Sequence, residues 1–114
     1  MSLLFRPDPI AQRIHYFRGH RVMLDADLAQ IYGVPTQRLV DEIHQHGPLP
    51  GDFCFPVERH ELDFSDDERP GRGEAAYVFT EHGALMAATL LKSPEAIALS
   101  AHVIRTFVSL RRRG

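Results

Sequence analysis

The sequence predicts an α+β domain: a small antiparallel β-sheet with a hairpin, a helix-turn-helix-like helix pair and two C-terminal helices. Three observations carry that prediction. Two β-prone runs, Ile14-His15-Tyr16-Phe17 and Arg21-Val22-Met23-Leu24, flank a short turn containing Gly19, the pattern of a hairpin. Two stretches with apolar residues at helical spacing follow, broken by Gly33 and Pro35. A longer stretch opens on Ser93-Pro94-Glu95, where a capping hydroxyl, a proline at the first helical position and an acid coincide.

The elements read in order as follows. Residues 1–9 form a tail, because Pro7 and Pro9 fix φ and constrain their neighbours; residues 10–113 form a single domain. In the hairpin, Arg18-Gly19-His20 is the turn and Gly19 supplies positive φ. Asp25 begins the first helix, where its side chain can cap free N–H groups, and Asp27 adds negative charge to its first turn. Leu28, Ile31 and Tyr32 are its apolar positions, and Gly33 ends it in a left-handed cap. Thr36 caps a second helix that runs to about His46 with Leu39, Val40 and Ile43 on one face. Gly47-Pro48-Leu49-Pro50-Gly51 stops it. Phe53-Cys54-Phe55 reads as a short strand, 57–62 as a single helical turn, and the acidic, Pro- and Gly-containing stretch 63–74 as a surface loop. Ala76-Tyr77-Val78-Phe79 is a further β-prone run. Thr80 caps a helix over 81–91, where Gly83 permits close packing. The last helix runs to about Arg112 with two apolar stripes, Ile97, Ala101, Ile104, Val108 and Ala96, Val103, Phe107, Leu110. Two stripes predict burial on two sides, one of them a subunit interface.

The totals narrow the function classes. A chain of 114 residues, 44% hydrophobic and 25% charged, has the composition of one folded domain. The one cysteine, Cys54, excludes an internal disulfide, and between two phenylalanines it reads as a buried, inert thiol. No run of about 18 apolar residues spans a membrane, and the first residues are too short and polar for a secretory signal, so the expected compartment is the cytoplasm. The net charge is −2, so the total does not point to nucleic acid; the distribution says more. Lys92 is the one lysine beside twelve arginines, and arginine suits planar recognition of phosphate and guanine. A genome rich in G·C pairs would produce the same bias.

The helix pair has helix-turn-helix spacing. Ala29 lets two helices approach, Gly33 permits the turn, and Leu39 anchors the second helix; Glu42 stands where an apolar residue is usual, and Ile43 takes its packing role. In the functional reading the second helix enters a DNA major groove, with Thr36, Gln37, Arg38, Asp41 and Gln45 outward. Gln37 would read adenine and Arg38 guanine, and the N–H groups near Thr36 would hold a phosphate. Asp41 and Glu42 repel phosphate, so two ordinary packed helices with a polar outer face is the competing reading.

The run from Ile14 through Leu24-Asp25-Ala26-Asp27-Leu28-Ala29-Gln30-Ile31-Tyr32-Gly33-Val34 resembles the opening of the ORF6N domain, a relative of the KilA-N DNA-binding domains of large DNA viruses, phages and prophages. The likeness continues through Arg38-Leu39, Asp52-Phe53-Cys54-Phe55 and Tyr77-Val78-Phe79-Thr80-Glu81-His82-Gly83-Ala84-Leu85-Met86, and ends in Ala96-Ile97 and Arg105-Thr106-Phe107-Val108. It covers about residues 10 to 111. The resemblance implies a DNA-binding module of the kind joined to a second C-terminal domain in phage antirepressor-like proteins. His82 departs from the glutamine usual there, and the acidic 63–74 segment departs from the basic residues common in the family. With this resemblance, Arg18, His20 and Arg21 near the hairpin turn become candidates to grip the DNA backbone, and Arg72, between two glycines, is a further one.

Other chemistry finds no pattern. Of seven histidines, His44 and His46 point to different faces of a helix, His60 lacks matching ligands, and neither paired CxxC motifs nor HExxH occur. Gly71-Arg72-Gly73 is too short for a phosphate loop. No catalytic site, cofactor or metal is therefore expected. The expected function is double-stranded DNA binding in transcriptional or prophage regulation, by a homodimer joined through the C-terminal helix. The alternative is a protein-interaction module that binds a repressor, a toxin or a phage component, favoured by the acidic segment and the net charge; an accessory to a nuclease is a third reading.

Overall fold

A computed structural model describes residues 9–47, 50–58 and 76–113. A 3-10 turn at Ala11–Arg13 leads into β1 (Ile14–Phe17), β2 (His20–Leu24), α1 (Asp25–Tyr32) and α2 (Thr36–His46). β3 (Cys54–Val57), β4 (Ala76–Phe79), α3 (Glu81–Leu91) and α4 (Pro94–Arg113) complete the order. The four strands form one antiparallel sheet in the order β1-β2-β4-β3. The architecture is α+β, as the sequence predicts. The loop expected at 63–74 lies outside the described residues, as do residues 1–8 of the tail. Of the helical turn expected over 57–62, Val57 instead ends β3, and residues 59–62 lie outside the described residues.

The register explains which side of the sheet meets the helices. Ile14 pairs with Met23, Met23 with Phe79, and Phe79 with Cys54. Paired residues share a face, so these four make one apolar row across the sheet. That row packs in the main core with Leu28, Ala29, Tyr32, Leu39, Ala84, Ala87 and Phe107. The alternate residues Val22, Leu24, Val57, Ala76 and Val78 form a second buried cluster, with Phe17 and Phe55 against it. Both faces are thus apolar, which is why these short strands carry runs of hydrophobic residues rather than strict alternation.

The ends of the elements follow local chemistry, with three corrections. Arg18 and Gly19 both have positive φ, 54° and 82°, so the hairpin turn has two residues in the type I′ manner. His20 belongs to β2 and pairs with Phe17, where the sequence predicts a three-residue turn. Asp25 begins α1 as predicted, but as its first residue rather than its cap, the capping position being Leu24. Its carboxylate is buried and accepts from the backbone N–H of Tyr77 at 3.2 Å and of Ala26 at 2.6 Å, which ties α1 to β4. Thr36 likewise lies inside α2; Pro35 precedes it and no side chain caps that end. Gly33, at φ 77°, ends α1 as predicted: the Gly33 N–H donates to Gln30 O and the Val34 N–H to Ala29 O, the Schellman pair. Thr80 and Ser93 accept from the N–H groups of Gly83 and Ala96, the caps expected of them.

In the helix pair Ala29, Leu39 and Ile43 are buried. Glu42 is half-buried and faces Arg38 at 3.8 Å, so Ile43 does take the packing place. α4 buries one side only within the chain. Ala96, Val103 and Phe107 enter the core, while Ile97 of the other stripe is 54% exposed, Ala101 is exposed, and Ile104 and Val108 are half-buried.

Candidate nucleic-acid interface

The expected site residues fall into two groups. On α2, Gln37, Arg38, Asp41 and Gln45 are exposed and Thr36 is half-buried. The polar atoms of Gln37, Asp41 and Arg38 already have partners within the chain. Gln37 Nε2 donates to Asp41 Oδ1 at 2.8 Å, and Arg38 Nη2 donates to the carbonyl of Leu91, the last residue of α3, at 3.3 Å. With Glu42 also beside it, Arg38 offers a largely balanced charge.

The second group surrounds the hairpin turn. The Arg18 guanidinium lies over the Phe17 ring, 5.1 Å from its centre, and 5.6 Å from that of Phe55. Arg21 lies 5.6 Å from the centre of the Tyr16 ring, which is 67% exposed. His20 stands 6.1 Å from Phe55. A cation–π contact helps to fix a guanidinium in place, so Arg18 and Arg21 hold set positions at this end of the sheet. Register explains the division: Tyr16 pairs with Arg21 on the helix side of the sheet, and Phe17 pairs with His20 on the other.

On the helix side the hairpin opens into a cleft of about 470 Å³. Its opposite wall is Asp52, Thr80, Glu81 and His82, and Phe107 and Arg111 of α4 complete it. Arg111 is paired with Glu81, and the His82 ring stacks on Phe53 at 5.7 Å. The wall is held by Thr80, whose hydroxyl lies 2.6 Å from Asp52 O, and whose N–H donates to Phe53 O at 2.9 Å. At Gly83 an added Cβ would sit 1.9 Å from Phe53 O, so only glycine lets α3 approach the segment before β3.

The two groups do not form one surface patch. Arg38 reaches the last residue of α3, whereas the cleft is lined by its first. The length of α3, Glu81 to Leu91, separates them, roughly 15 Å at 1.5 Å per residue. Arg72 lies outside the described residues. Tyr16, Phe55, His82 and Arg111 are additions to the expected site. Tyr16 shares its strand face with core residue Ile14, which points inward on sequence alone; it is exposed because it lies further along the hairpin, beside the cleft.

The model of the ORF6N domain matches residues 12–90, more than half the chain and both groups of candidate residues. The chain belongs to the ORF6N domain family. The match includes the hairpin, the helix pair and the Thr80–Gly83 turn of the ORF6N domain, and stops before α4, short of the 10–111 span expected from the resemblance. No curated protein and no solved structure matches this chain. Cys54 is buried, and burial pushes its thiol up to about 11. Among the described residues no three His, Cys, Asp or Glu side chains gather as a metal site, and no helix is long and apolar enough to cross a membrane.

Proposed function

We propose that this ORF6N domain binds double-stranded DNA, as the DNA-contacting part of a phage-type transcriptional regulator or antirepressor, working in the cytoplasm by binding rather than by catalysis. The observation that carries the reading is the hairpin turn with Arg18 and Arg21 each set over an aromatic ring at the exposed end of the sheet. A two-stranded ribbon is a shape that DNA grooves admit, and arginines fixed in advance lose little entropy on meeting phosphate. α2 is the second contact: Gln37 and Arg38 reach bases after exchanging their partners within the chain for base edges. Ile97, Ile104 and Val108 on the outer stripe of α4 join two copies, so that two hairpins meet two half-sites.

Titration of a labelled duplex between about 50 and 200 mM salt tests this, because phosphate contacts make affinity fall steeply over that range. Arg21→Ala weakens binding to all sequences, while Arg38→Ala relaxes base preference. Equal binding by wild type and both variants would reject this placement of the site. A second reading, a module that binds a repressor, toxin or phage component, is favoured by the exposed apolar side chains of Leu85 (49%), Ile97 (54%) and Leu99 (37%). Salt-insensitive or absent DNA binding decides for it.

A further inference from the structure

We infer that the cleft between the hairpin and the start of α3 receives an unpaired nucleotide of a DNA strand, so that the domain favours DNA with an extruded or single-stranded base over an intact duplex. The inference rests on the DNA-binding reading above and adds what that surface selects. Four features of the cleft point to a base. It is concave, at about 470 Å³, within the roughly 300–1,000 Å³ of small-molecule pockets; the convex backbone of a duplex would rest on the hairpin instead. Its mouth holds Tyr16, an aromatic ring 67% exposed with Arg21 over it, and such rings stack on bases of any sequence. Its wall holds two carboxylates, Asp52 and Glu81. These repel phosphate but accept hydrogen bonds from exocyclic amino groups, one N–H of which is tied up in Watson–Crick pairing and released on extrusion. The cation Arg21 flanks the same space, placed for a phosphate next to the inserted nucleotide, while Arg111 is held by Glu81.

The pieces come from remote parts of the chain and are held in place. Thr80 bonds to Asp52 O, Gly83 packs on Phe53 O, and Glu81 fixes Arg111. Phe107 supplies an apolar wall between them. Stiff walls suit insertion of a flat group, because little ordering remains to oppose it.

Fluorescence anisotropy with two labelled probes tests the inference: a short blunt duplex, and the same duplex carrying one unpaired cytidine. The wild-type chain is expected to bind the second about tenfold more tightly. Tyr16→Ala is expected to bring the ratio of the two affinities close to one, and Tyr16→Phe, which keeps the ring, to preserve it. Because Tyr16 is exposed, both variants keep the fold, and a thermal melt checks this. Equal affinity for the two probes, or a preference that survives Tyr16→Ala, overturns the cleft assignment while salt-dependent duplex binding still upholds the proposed function. Binding of neither probe removes both.

Discussion

At the scale of single residues, two buried groups do unlike work. Gly83 is required by space: its φ is ordinary, but a Cβ there would overlap the Phe53 carbonyl. Gly83→Ala is expected to destabilise the chain by about 3 kcal/mol, the upper part of the range for an overpacked core, measured as a lowered urea midpoint. A loss below about 0.5 kcal/mol, the scatter of neutral surface changes, would mean that the segment before β3 yields. Cys54 is the opposite case, a reactive group kept idle. With its thiol near 11, about one molecule in a thousand carries thiolate at pH 8, and the buried sulfur is out of reach of reagents. Ellman's reagent should modify it only as fast as the chain unfolds, and at once in denaturant; prompt reaction of the native chain would contradict the buried position.

At the scale of elements, glycine acts through the backbone. At Gly33 nothing lies within 4 Å of an added Cβ, yet φ is 77°, so Gly33→Ala should cost about 1 kcal/mol from backbone strain alone; an unchanged melting curve would argue against the left-handed end of α1. Asp25→Ala removes the acceptor shared by Tyr77 and Ala26 and should cost about 1–3 kcal/mol by leaving buried N–H groups unpaired, visible as faster amide exchange at Tyr77. These elements are legible in the sequence where the signal is local. The turn at Arg18-Gly19 and the caps at Gly33, Thr80 and Ser93 depend on a few adjacent residues. Asp25 and Thr36 mislead because the same side chains that cap helices also begin them; only the sheet shows that the Asp25 carboxylate is needed by β4. The candidate site is half legible for the same reason. Arg18, His20 and Arg21 follow from the hairpin together with the family resemblance, whereas Tyr16, Asp52, His82 and Arg111 share a cleft only after α3 and α4 pack.

At the scale of the whole molecule, α3 acts as a spacer between the α2 group and the hairpin group. If both touch one duplex, their contributions are separable. Removing Arg18 and Arg21 together should lower the slope of log affinity against log salt by about 0.9 for each phosphate that is no longer neutralised, while Gln37→Ala should leave that slope unchanged and alter base preference. A slope that stays constant in the double variant would move the electrostatic attraction away from the hairpin. Under the proposed function, the net charge of −2 means that attraction to DNA has to come from a localised cluster such as this one, since the chain as a whole does not attract it.

The match to the ORF6N domain model ends at residue 90, yet Ala96, Val103 and Phe107 sit in the same interior as Tyr32 and Leu91. The matched span is therefore smaller than the packed unit. Trimming the gene to the recognisable portion would uncover the flank of α1 and α3 that α4 keeps dry, and the first symptom would be inclusion bodies rather than a change in recognition.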